Sequence, residues 1–149
     1  MTTQGTFSVT VQAPPAVVWP WISQLEKHVD WSTKAYSVEW LSGEPNAVGS
    51  RYRSIGWVPG DKHHENVGEI TERVEQERFA LHADDKEGLF ENTYTLRQVG
   101  DATEVTFTLV FPQMKGAVAL IAPILFVTSG KPDIRKRMQL LKTKVEAAG

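Results

Sequence analysis

The chain has 149 residues, about one domain's length, and its 41% hydrophobic and 23% charged residues are an ordinary globular composition. A net charge of -2 with no long run of one sign argues against a nucleic-acid partner, which usually leaves a basic strip. The absence of cysteine excludes disulfides, thiolate nucleophiles and Cys-built zinc sites.

No Lys or Arg precedes Lys27, so the basic start of a secretory signal is missing. The longest apolar run, Ala117 to Val127, falls short of the roughly 20 residues that a membrane-spanning helix needs. The expectation is a cytoplasmic protein without stable membrane insertion.

Thr6 to Gln12 alternates, with Phe7, Val9 and Val11 on one face and Thr6, Ser8, Thr10 and Gln12 on the other, which is the period of a half-buried strand. Pro14 and Pro15 end it and suit a first helical turn, where the missing N–H is not needed. Val17, Val18, Trp21, Ile22 and Leu25 follow at helical spacing, and Pro20 predicts a short or bent helix. His28 to Ser32 reads as a second short turn. Six strand candidates come next: Tyr36 to Leu41, Ser50 to Val58, His64 to Val74, Arg78 to Ala83, Phe90 to Gln98 and Thr103 to Phe111. Turn signals such as Pro59-Gly60-Asp61 and Gly100-Asp101 separate them. Gly68 predicts a bulge in the third. In the last, Val105, Phe107, Leu109 and Phe111 share one face.

From Met114 the period changes. Val118, Ile121 and Leu125 are spaced by three and four, and Ile134, Met138, Leu141 and Val145 by four, three and four. Arg135, Lys136, Arg137, Lys142 and Lys144 lie between them, so the pattern predicts an amphipathic helix with a basic outer face. Pro123 predicts a kink, and Gly130 and Pro132 a further interruption. Ala117 to Val127, apolar nearly all round, is expected to be buried on most sides or to line a cavity.

The order is therefore strand, two short helices, six strands and a long helix. Short turns between strands imply an antiparallel sheet. Its apolar face needs a cover, and the terminal helix is the long element available. The fold class is α+β, a single domain over residues 1–149, with no internal repeat, low-complexity tract or linker.

Several local motifs resemble the START/Bet v 1-like (SRPBCC) superfamily, and within it the polyketide cyclase/dehydrase and lipid-transport group. After the first strand, Ala13-Pro14-Pro15-Ala16-Val17-Val18-Trp19 is similar to that family's small-Pro-x-x-x-Val-Trp opening. Asp30-Trp31, Val48-Gly49-Ser50-Arg51, Glu69-Ile70-Thr71-Glu72 and Thr103-Glu104-Val105-Thr106 resemble later family segments in order and spacing, although Asp101-Ala102 stands where glycine is usual. Leu140 to Glu146 resembles the closing Leu-x-x-Leu-Lys-x-x-x-Glu. The likeness covers nearly the whole chain. It implies a helix-grip fold, a curved antiparallel sheet of about seven strands wrapped around the C-terminal helix, with a ligand cavity between them.

Periodicity alone favours a filled core; the resemblance implies a cavity. Its wall is expected from Trp40, Trp57, Phe79, Leu81, Tyr94, Phe107, Leu109, Val118, Ile121 and Leu125, an apolar set with few polar groups, as ligand pockets usually are. Three residues are candidates for proton handling or oxyanion binding. Arg53 would hold a carboxylate or enolate oxygen if it turned inward, although unpaired arginine is rarely buried and the outward reading is preferred. His64 would serve as acid or base near neutral pH if it faced the cavity rather than the rim. Tyr94 would donate its hydroxyl to a ligand carbonyl, or else be a core tyrosine. His63 and His64, adjacent on a strand, point to opposite faces and make a poor metal pair. No phosphate loop, nucleophile elbow or zinc helix motif is present, so no cofactor and no metal are expected.

The leading expectation is a binding or carrier protein for a small hydrophobic or amphipathic molecule of lipid, polyketide or isoprenoid type, acting as a monomer or homodimer. The alternative is a polyketide cyclase or dehydratase working in the same cavity without metal or redox cofactor. The third is a protein-binding module of co-chaperone type.

Overall fold

A computed structural model of the chain describes residues 3–33, 36–58, 61–85, 88–114, 120, 121, 124 and 126–148. Strand β1 (Thr3–Val11) leads into helix α1 (Pro15–Ser23) and a 3₁₀ helix (Leu25–Trp31). Six strands follow: β2 (Tyr36–Ser42), β3 (Arg51–Val58), β4 (Asp61–Val74), β5 (Arg78–Asp85), β6 (Gly88–Val99) and β7 (Ala102–Met114). A π turn (Phe126–Gly130) then opens helix α2 (Lys131–Ala148).

The seven strands form one sheet in the order β1-β7-β6-β5-β4-β3-β2. Every neighbouring pair is antiparallel. β2 to β7 is a simple meander, and β1 closes on β7, so α1 and the 3₁₀ helix bridge the two sheet edges. The alternation of β1 does what its period requires: Phe7, Val9 and Val11 are buried, and Phe7 pairs with Phe107 and Val9 with Val105. Pro15 stands in the first turn of α1 and Pro20 inside it, and the helix stops three residues later.

The bulge in β4 falls between Ile70 and Glu72, not at Gly68 as the sequence predicts. Gly68 serves a different need. A Cβ there would run into the Tyr52 phenol and the His82 carbonyl, so the missing side chain makes room for Tyr52 to lie across the sheet. The β2–β3 loop is tied to the 3₁₀ helix by Asn46, which is in the left-handed region at φ 68°. Asn46 Oδ1 accepts from the Leu25 N–H at 2.7 Å, and its Nδ2 donates to Glu26 at 2.7 Å.

α2 buries Ile134, Met138, Leu141 and Val145, the stripe its spacing predicts, and packs against β1, α1 and the 3₁₀ helix. At its C-terminal end Lys142 Nζ donates to the Thr10 carbonyl at 2.7 Å and to Glu146 at 2.6 Å, while Glu146 accepts from the Gln12 N–H at 3.0 Å. The segment before α2 departs from expectation. Phe126 is buried against Phe7 and Phe111, but Leu120, Ile121, Ile124 and Val127 are exposed, Leu120 at 82% and Ile121 at 49%, rather than buried on most sides. An apolar run carries no face of its own, so its composition does not say which side the rest of the chain covers. Pro123 and its expected kink lie outside the described residues; Gly130 and Pro132 do mark the start of α2.

Candidate functional site

A cavity of about 290 Å³ lies between the sheet, the 3₁₀ helix and α2. Strand alternation delivers its sheet side in steps of two: Tyr36 and Val38 from β2, Tyr52, Ser54 and Gly56 from β3, His64 and Asn66 from β4, Leu81 from β5, and Phe90, Asn92 and Tyr94 from β6. The helical side comes from Leu25, His28, Ser32 and Thr33 in and after the 3₁₀ helix, and from Asp133 and Arg137 one turn apart on α2.

An aromatic cluster organises one end. The Tyr94 ring stacks on Phe107 with centroids 4.6 Å apart. Its other sides meet the edges of His28 at 5.3 Å and Trp31 at 6.0 Å. Arg137 lies over the Trp31 ring, 5.1 Å from its centroid. Beside it, the Asp133 carboxylate accepts a hydrogen bond from the Thr33 hydroxyl at 2.7 Å. Across the cavity, the Ser54 hydroxyl donates to Asn66 Oδ1 at 2.8 Å. Among the described residues, Arg137 Nε and Asn92 Oδ1 are buried polar atoms on lining side chains with no hydrogen-bond partner.

The protonation states follow from burial. His28 is enclosed, and desolvation lowers its pKa from 6.5 to about 4; the hydrogen bond to the Ile22 carbonyl opposes the shift and the Arg137 charge adds to it. The ring is therefore neutral at neutral pH. Its Nε2 carries the hydrogen, because the Ile22 carbonyl 2.7 Å away only accepts. Burial likewise pushes the phenols of Tyr36, Tyr52 and Tyr94 well above the ordinary tyrosine range, with Arg137 pulling Tyr36 and Tyr94 the other way. All three stay protonated and available as hydrogen-bond donors. The arrangement can bind a ligand with polar oxygens, donate protons or hydrogen bonds to them, and hold an anion beside Arg137.

Of the residues expected on the cavity wall, Leu81 and Tyr94 line it, and so does His64, whose neighbour His63 is exposed on the opposite face. Phe79 and Phe107 are buried in the core, Phe107 directly under Tyr94. Leu109 packs against that core, half-buried, away from the wall. Trp40 is also off the wall: its ring meets Tyr52 at 6.0 Å and its Nε1 donates to Glu26 at 3.3 Å. Ile121 is exposed. The Trp57 side chain, Val118 and Leu125 lie outside the described residues. Arg53 faces outward, where Glu39 of β2 and Glu65 of β4 meet it at 3.4 and 2.7 Å. Tyr52, Ser54 and Gly56 take the inward positions of β3, so alternation leaves Arg53 on the other face.

Sequence reasoning missed His28, Tyr36, Tyr52, Asn66, Asn92 and Arg137 as lining residues. For Arg137 a signal existed. It stands three residues after Ile134 and four before Leu141, on the buried stripe of α2 rather than on the basic outer face to which the sequence reading assigned it. Arg135, Lys136 and Lys144 do face out.

A seven-stranded antiparallel sheet packed on a C-terminal helix, with a lined cavity between them, is the α+β helix-grip fold of Bet v 1-like proteins. The chain belongs to the polyketide cyclase/dehydrase and lipid transport family, whose profile it matches over residues 2–146. No curated protein matches it by sequence. Solved structures share the fold at low identity. The Zhui aromatase/cyclase from a Streptomyces species is 15% identical with a TM-score of 0.80, covering 100% of this chain and 99% of that one. Ara h 8.0201 is 14% identical with a TM-score of 0.76, covering 99% of each. A Thermus thermophilus protein is 18% identical with a TM-score of 0.73, again covering 99% of each.

Proposed function

We propose that this protein binds a small amphipathic molecule, of polyketide, isoprenoid or lipid type, in the cavity between sheet and C-terminal helix. The observation that carries this reading is the lining itself. Apolar surface from Val38, Leu81 and Phe90 alternates with placed hydrogen-bonding groups from Tyr52, Ser54, Asn66, Asn92 and Tyr94. Ligand sites combine these two features, the apolar area supplying affinity and the polar groups fixing orientation. So polar a wall favours an oxygenated ligand over a bare acyl chain, because a saturated chain would leave those groups desolvated and unmet. Native mass spectrometry of freshly purified protein, against its denatured mass, tests the reading. Extra mass released on denaturation is the expected result. A clean apo mass, with no uptake of oxygenated aromatic compounds, would remove it.

A second reading, a cyclase or dehydratase acting on a poly-β-ketone, is favoured by the protonated phenol of Tyr94 beside the Arg137 charge. That pair is suited to polarise a ketone oxygen while the cavity folds the chain. Turnover of a polyketide thioester, reduced at least about tenfold in Tyr94→Phe, is its expected outcome. No turnover by the unmodified protein would leave only the carrier reading.

A further inference from the structure

The cavity contains a guanidinium, that of Arg137, held in no ion pair among the described residues. Its Nε has no hydrogen-bond partner among them. Its neighbours are the face of Trp31, the hydroxyl of Tyr94, to which it hydrogen-bonds, and the phenol of Tyr36, close enough to feel its charge. Asp133, the acidic residue one turn back on α2, also lines the cavity, but its Oδ1 is engaged by Thr33. A buried guanidinium N–H left unmet is costly, and arginine is seldom placed so without something to pair with.

We infer, resting on the binding reading above, that Arg137, Tyr94 and Tyr36 form the anion-recognition end of the cavity and that the ligand presents a carboxylate to them. The guanidinium is a planar fork of donors with no acceptor, the shape that matches two carboxylate oxygens. Both phenols are held protonated by burial, so they donate to the same oxygens rather than repel them. The apolar surface of Val38, Leu81 and Phe90 takes the rest of the molecule. The ligand class is thus a small carboxylic acid with an aromatic or polyketide-like body.

Calorimetric titration of the whole chain with naphthoate, and with its uncharged amide of nearly the same shape, separates charge recognition from filling of the cavity. The acid is expected to bind at least about tenfold tighter than the amide. Arg137→Met should abolish that preference, weakening the acid about tenfold and the amide by less than about threefold. Asp133→Asn, which removes a like charge from the wall, should tighten the acid and leave the amide unchanged. Arg137→Lys, which keeps the charge without the fork, should fall between. Should circular dichroism show Arg137→Met unfolded, the Asn and Lys variants decide through the same acid-to-amide ratio. Equal affinity for acid and amide in the unmodified protein, or a ratio that none of the variants moves, overturns the carboxylate assignment while leaving the binding reading standing. No binding of either probe, by heat or by native mass spectrometry, overturns the carboxylate assignment, and a clean apo mass beside it overturns the binding reading as well.

Discussion

His28 shows how burial converts a switchable group into a fixed one. In the unfolded chain it titrates near its ordinary value of 6.5, whereas in the fold it resists protonation until about 4. Between those values the unfolded chain takes up a proton that the folded chain refuses, so acid draws the equilibrium toward unfolding. The contribution is fully present above pH 6.5 and is lost as pH falls to about 4, and it amounts to about 3 kcal/mol. Urea melts of the unmodified protein should therefore lose stability through this window. His28→Gln should flatten that limb even if it lowers stability at neutral pH, since the Ile22 carbonyl keeps a possible donor. An unchanged acid limb in the variant would show that other groups produce it. Arg137 teaches the complementary lesson at the same scale. Side-chain type alone reads as solvent-facing, and only its place on the α2 stripe, between Ile134 and Leu141, points inward.

At the scale of the element, α2 is the part most legible in the sequence. Its apolar stripe depends on a local period, so Ile134, Met138, Leu141 and Val145 are buried where their spacing says. Leu141 is fully buried, and Leu141→Ala should cost about 2–5 kcal/mol by chemical denaturation. Lys144→Ala, on the exposed face of the same helix, should change stability by no more than about 0.5 kcal/mol. Comparable losses in both would mean that the helix is not docked through this stripe. The strands were equally legible in existence and order, and less so in detail. Gly68 carries a glycine's usual signature of a bulge, yet the need it meets is the close passage of Tyr52. That need comes from β3, a different strand, and cannot be read within β4. The run from Ala117 to Val127 is the converse case: apolar nearly all round, it does not tell the buried Phe126 from the exposed Leu120, Ile121, Ile124 and Val127.

At the scale of the whole molecule, the alternating strands, the amphipathic terminal helix and the turn residues between them were enough to specify an α+β architecture, because each is a local property of consecutive residues. Family motifs added the expectation of a cavity. Beyond Leu81, Tyr94 and His64, what the cavity wall consists of was decided by tertiary structure. The apolar residues expected there, Phe79 and Phe107, fill the core beneath it, while polar residues, Ser54, Asn66, Asn92 and Arg137, take the wall itself. A cavity is the space that packing leaves over. Its lining depends on how far each strand is offset from its neighbours and on where the helices cross the sheet. Arg137 of α2, Trp31 of the 3₁₀ helix and Tyr94 of β6 meet only because the sheet brings β6 under both helical elements. Sequence periodicity says which residues turn away from water; the fold decides which of those turn toward an empty volume and which toward each other.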